Sequence, residues 1–147
     1  MQTSRNDLQS QIEQRIRTMR TIWIALVLSI GSYYVLTLVA GQPEEKPNTA
    51  LSVALLAFGL LMVPLSFVIK NKILRQAAEQ QRASLVQQAY IVAWAIIEIA
   101  ALLGVFDFFV TGHRHYFLLF IIAVCGQLLH FPRRQHLLDA SFKQPMW

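Results

Sequence analysis

The sequence predicts an all-α membrane protein: a four-transmembrane-helix bundle of two hairpins, preceded by an amphipathic N-terminal helix. Three observations point there. Hydrophobic residues make up 55% of the 147-residue chain and charged residues 14%, against about 25% charged in soluble domains, too few to cover a water-facing surface. The charges fall in blocks separated by four long apolar runs, interrupted only by Glu98 and Asp107. Lys and Arg, finally, crowd into alternate polar segments, as they do in proteins that cross a membrane an even number of times.

Residues 1–20 form the first element. In SRNDLQSQIEQRIRTMR, Ser4 and Asp7 approximate a capping box, and Leu8, Ile12, Ile16 and Met19 recur at helical spacing. The expectation is an amphipathic helix lying on the cytoplasmic membrane face. The membrane domain follows at 21–132, with spans at 22–40, 50–69, 85–110 and 116–131, to be compared with about 20 helical residues for a hydrocarbon core. In hydrocarbon a lone segment satisfies its own backbone only as a helix. The first span follows a long polar stretch that includes Asp7 and Glu13, and it exceeds the hydrophobic core of a signal peptide, so it is read as retained. GQPEEKPN reads as an exposed turn. Pro64 is expected to kink the second span. NKILRQAAEQQRASLVQQAY is rich in helix formers with no Gly or Pro, so spans two and three should project as helices before turning. Residues 133–147 are a tail.

Eleven of the thirteen Lys and Arg residues lie in the N-terminal segment, the loop from Lys70 to Ser84, or the tail; only Lys46 and Arg114 lie in the other two loops. Positive charge marks the cytoplasmic side, which places both termini and the 70–84 loop there. Arg15, Arg17, Arg20, Lys70, Lys72, Arg75, Arg82, Arg133 and Arg134 are then candidates for lipid head-group contacts. Trp23, Tyr90 and Tyr116 lie near span ends, where amphipathic rings are favoured.

Several chemistries find no support. Cys125 is the only cysteine, which excludes an intrachain disulfide or a thiolate metal cage. His113 and His115 belong to an outer loop and His130 to the opposite side, so no metal or haem site is expected. Nucleophile elbow, phosphate loop and HExxH motifs are missing, so neither catalysis nor a cofactor is expected. The basic residues are spread over membrane-proximal segments without a recognition fold, which argues against nucleic acid.

Glu98 is the most informative residue. An ionisable side chain in a spanning helix costs about 2.5–3.5 kcal/mol on insertion scales and marks a functional or structural polar contact. Counting from Ser84 puts it about 21 Å from the cytoplasmic edge, a little past the midplane. Folding the hairpin about Gly112 and His113 brings Gln127 level with it, so Gln127 is the expected hydrogen-bond partner. Asp107 falls near the outer interface, where Arg114, His113 and His115 could neutralise it. Small residues offer close helix contacts: Ala89, Ala93, Ala100 and Gly104 along span three, and Gly31, Gly59 and Gly126 on the others.

With these residues in view, QQAYIVAWAIIEIAALLGVFDFF resembles the outer, proton-carrying helix of the rotary ATP synthase c subunit, through Glu98, Ala100, Ala101, Gly104 and the preceding Arg82. The glycine-packed first helix of the c subunit has no counterpart, since span two holds only Gly59. The whole chain is similar to a group of small four-span bacterial inner-membrane proteins that share an Arg-bounded first span, a Glu in the third and an HFPRR-like close, here His130 to Arg134. The resemblance implies a bacterial inner-membrane location. Two functions stay open: a non-catalytic scaffold or accessory subunit that meets lipid, a membrane partner or its own copies, and a proton-handling, ATP synthase-associated component in which Glu98 titrates.

Overall fold

Peptide groups in hydrocarbon have no water to bond, and the apolar runs of this chain accordingly form long helices. The computed structural model describes residues 2–41 and 48–141, with side chains in the first helix described from residue 9 onward. The helices are α1 (Gln2–Ala40), α2 (Thr49–Gln80), α3 (Ala83–Thr111), α4 (Phe117–Leu129) and α5 (Arg134–Ser141), and a 3-10 turn at Arg114–Tyr116 leads into α4. The GQPEEKPN turn beyond Gly41, the capping-box side chains of Ser4 and Asp7, Leu8, and the charges of Arg5, Lys46 and Lys143 lie outside the described residues.

Three of these helices, α1, α2 and α3, are long and apolar enough to cross a membrane. The expected fourth span is shorter than its uncharged run suggests. Its 13 residues rise about 20 Å against a core of about 30 Å, and it reaches spanning length only if joined to α5 across a 46° bend. Pro132 accounts for the break, since it lacks an N–H and holds the preceding residue out of the helical region. Pro64, by contrast, sits inside α2, which continues through it.

Two hairpins were expected, and the structure forms them differently. α3 is the hub and packs against α1, α2, α4 and α5, whereas α1 packs against α3, α4 and α5 with no close backbone approach to α2 among the described residues. The small residues of span three explain why the hub is α3. Ala89, Ala93, Ala100, Ala101 and Gly104 are all buried, and their lack of bulk lets neighbouring backbones come near. A side chain at Gly59 would collide with Leu119, and one at Gly126 would meet Ile97 Cδ1 at 2.7 Å, but one at Gly31 would meet nothing. Gly31 therefore opens onto a groove between α1 and α4 instead of supporting a helix contact.

The bundle has two storeys. In one, Ile30, Ile97, Ala100, Ala101, Phe120 and Ala123 pack together. In the other, at the α2–α3 turn, Ile12, Ile16 and Met19 of α1 are buried against Ala77, Val86, Tyr90, Trp94, Leu137 and Ala140. This corrects two expectations. The described part of the apolar stripe, Ile12, Ile16 and Met19, is covered by the chain's own helices instead of being left to a membrane surface, and α1 passes position 20 without a break. The segment after Arg133 is not merely a tail, because α5 buries Leu137 and Ala140 in the same cluster.

The α2–α3 turn is tight. Gln81 N–H donates to Ala78 O and Arg82 N–H to Ala77 O, the paired bonds that close a helix end when the next residue is left-handed. Here that residue is Gln81, at φ 53° and ψ 42°, a conformation that costs a side-chain-bearing residue about 1–2 kcal/mol. Gln81→Gly should therefore raise the thermal unfolding midpoint in detergent by about 2–4 °C per kcal/mol recovered; a lowered midpoint would show that the strain is offset by a contact of the Gln81 side chain.

Candidate functional site

Polar side chains inside the bundle fall at three levels. Farthest from the α2–α3 turn, Asp107 is 1% exposed. Ser52 Oγ donates to its Oδ2 at 2.8 Å and Thr111 Oγ1 to its Oδ1 at 2.6 Å. Asn48 N–H donates to Thr111 O nearby, and the Asn48 side chain caps α2 by accepting from Leu51 N–H. The carboxylate thus ties the end of α3 to the start of α2. Arg114, His113 and His115 are not its partners; His113 turns back onto His115 instead.

At the middle level stands Glu98, half-buried on α3. Its Oε1 accepts from Ser29 Oγ at 3.0 Å and from Tyr33 OH at 3.3 Å. Both donors belong to α1, four residues apart and so on one helix face. Gln127, the expected partner, is elsewhere. It is 1% exposed, and neither Nε2 nor Oε1 has a hydrogen-bond partner among the described residues. The inferred register was close, since Ile97 packs on Gly126. The next residue along a helix, however, is turned about 100°, which carries Glu98 away from α4 and onto α1. Sequence reasoning missed these donors; the i, i+4 spacing of Ser29 and Tyr33 in span one is the signal that could have found them.

A second tie holds α1. Trp23 Nε1 donates to Gln127 O at 2.8 Å, and Trp94 Nε1 donates to His130 O at 3.0 Å. These are carbonyls at the C-terminal end of α4; Gln127 O also accepts from His130 N–H and takes the indole on its second lone pair. Trp23 also meets Phe131 edge-on at 5.1 Å.

The third level lies at the turn end. His130 is fully buried, with Nδ1 at 2.8 Å from Gly126 O and Nε2 at 3.2 Å from Ser66 Oγ. Tyr90 is also buried, with its hydroxyl accepting from Arg133 N–H at 3.2 Å and lying 2.7 Å from His136 Nδ1. Tyr90 is thus an internal strut and not the interfacial ring expected of it. Burial, and then the charges of Lys70 and Arg133, hold the His136 imidazole below its ordinary value despite the opposing pull of Asp139. His136 had no role in the sequence reading; the only hint was its place on a short helical pattern with Leu137 and Ala140.

The basic residues named from sequence gather at this end, because the N-terminal half of α1, the ends of α2 and α3, and α5 share one cluster. They are not equivalent. Lys70 is buried, while Arg17, Arg20, Lys72, Arg75, Arg82, Arg133 and Arg134 are exposed and Arg15 is intermediate. Arg134 pairs with Glu13 at 3.9 Å on the surface, a contact of little energetic consequence. Comparisons with protein-family models, curated proteins and solved structures found no match.

An unpartnered buried amide is destabilising, by about 1–3 kcal/mol when desolvated. Gln127→Leu should accordingly leave the unfolding free energy unchanged or raise it, measured by denaturant titration in mixed micelles. A loss of stability would restore Gln127 as a partner within the bundle.

Proposed function

We propose that this chain is an integral scaffold or accessory subunit of a bacterial inner membrane, without catalytic activity. It crosses the bilayer with the basic turn end in the cytoplasm, both termini included, and α4 makes the fourth crossing, continued past its bend by α5 at the head-group level. The carrying observation is the use made of Glu98. Its carboxylate braces α1, a helix with only 11% of its apolar window buried within the chain. Helices in lipid gain no hydrophobic advantage from touching one another, so a polar brace of this kind determines which neighbour α1 keeps. The remaining apolar face, including Leu28, Val35 and Val39 at 66%, 55% and 79% exposure, is left to lipid, to a membrane partner or to a second copy. The gathering of basic side chains at one end supports the orientation, by attraction to anionic head groups. Nucleic acid is not a partner in this reading.

One observation favours a second reading, the proton-handling component suggested by the c-subunit resemblance. Both hydroxyls bond to Glu98 Oε1, and Oε2 has no hydrogen bond among the described residues, which leaves an oxygen able to take up a proton. The two readings part at substitutions of this residue. Under the scaffold reading Glu98→Gln keeps an acceptor for Ser29 and Tyr33 and stays near wild-type stability, whereas Glu98→Leu loses about 0.6–1.7 kcal/mol, the measured range for interhelical hydrogen bonds. Dicyclohexylcarbodiimide should not label Glu98 in a pH-dependent way. Such labelling, abolished in Glu98→Gln while the fold persists, would overturn the scaffold reading in favour of proton handling.

A further inference from the structure

Lys70 takes no part in the brace, yet it is the most deeply buried cation at the turn end, 6% exposed. Its Nζ lies 4.7 Å from the centroid of Phe67 and 5.5 Å from that of Tyr90, an arrangement that shelters an ammonium by cation–π attraction. No carboxylate forms an ion pair with it among the described residues. Its charged neighbour is another cation, Arg133. A sheltered cation next to another cation is electrostatically incomplete, because burial without an opposite charge is costly.

Beside it is a crevice of about 300 Å³ between α2 and α5, lined by Asn71, Leu74, Arg75, Ala78, His136 and Asp139. The Tyr90 hydroxyl accepts from Arg133 N–H and lies 2.7 Å from His136 Nδ1, so the Nδ1 edge of the imidazole is engaged inside the bundle. With Nδ1 accepting from the Tyr90 hydroxyl, the tautomer taken here, the imidazole carries its hydrogen on Nε2 as a further donor. Asp139 is the one carboxylate in the crevice, and Gln135 Nε2 already donates to it at 3.0 Å. Arg75 and Asp139 line the crevice, Lys70 and Arg133 flank it, and the adjoining groove adds Lys72 and Glu79, so four positive charges face two negative ones, a net of two. Next to it, Val68 is 65% exposed and shares an apolar-to-polar groove with Asn71, Lys72, Arg75, Gln76 and Glu79.

We propose that this crevice binds the phosphate of an anionic phospholipid, with Arg75, Asn71 and His136 as donors, Lys70 and Arg133 supplying the field, and an acyl chain running over Val68. Basic pockets between helices at a membrane surface recognise such head groups. Inorganic phosphate offers the same oxygens, but it makes no use of the apolar surface at Val68. The proposal rests on the membrane reading above and narrows head-group recognition from a broad basic face to one built site.

The test uses the full-length protein. Flotation with neutral phosphatidylcholine vesicles first checks the membrane reading; failure to float overturns that reading and this one together. Binding of fluorescent phosphatidylglycerol and phosphatidylcholine to the detergent-purified protein then checks the site. Phosphatidylglycerol should bind more tightly, and Lys70→Gln combined with Arg75→Gln should weaken it about thirtyfold, the effect of two cations near an anionic surface. Arg75 is exposed, so Arg75→Gln alone leaves the core intact and should weaken binding about fivefold. Arg114→Gln, the same change of charge at the other end, should have no effect. Equal binding of the two lipids, undiminished binding in Arg75→Gln, or equal occupancy by inorganic phosphate alone would overturn the lipid site while leaving the membrane reading intact.

Discussion

A helix surrounded by lipid gains no hydrophobic advantage from its neighbours, because acyl chains are as apolar as leucine. Close packing and hydrogen bonds must therefore keep α1 in place, and the structure supplies both. Ser29 and Tyr33 donate to Glu98 on α3, and Trp23 donates to Gln127 O on α4. The arrangement uses what each element lacks. α4 ends early at Pro132 and has carbonyls to offer; α3 carries a carboxylate that hydrocarbon would penalise; α1 carries the hydroxyls and the indole that satisfy both. Small residues on α3 then let the helices approach closely enough for these bonds to form.

At the turn end the physics changes. Ile12, Ile16, Met19 and Leu137 are buried in a cluster flanked by charged and exposed positions, and where such a surface meets water each large apolar side chain contributes about 1.5–3 kcal/mol on burial. α1 is continuous across both storeys, so apolar packing anchors its first half and polar ties anchor its second. A single helix is thus held by two mechanisms. The buried Lys70 is stacked on the rings of Phe67 and Tyr90 at this end of the bundle.

The helices were legible because length and charge-free composition report directly on the medium, and α2 and α3 extend past their apolar runs as the helix-forming composition of residues 71–90 implied. The fourth span was overread, since 116–131 was measured between charges and not between helix ends, and the terminator Pro132 lay just beyond it. The site was legible in part. Glu98 announced itself as a carboxylate in an apolar run, but depth along a helix says nothing of azimuth, and its neighbour Ile97 took the place facing Gly126. The Asp107 partners were missed for a related reason. Nearby charges in sequence drew attention, while a neutral Ser52 more than fifty residues earlier supplied the bond. The packing of Ile12, Ile16 and Met19 on α5 could not be read from periodicity, which shows that a stripe is apolar without showing what covers it.

The brace at Glu98 is the claim on which the architecture and the scaffold reading both stand, and a double-mutant cycle between Glu98→Leu and Tyr33→Phe in bicelles, read by reversible unfolding, tests it most directly. The account predicts a favourable coupling of about 0.6 kcal/mol or more. Strictly additive single substitutions would contradict it, because α1 would then be held without the hydrogen bond described between these two side chains.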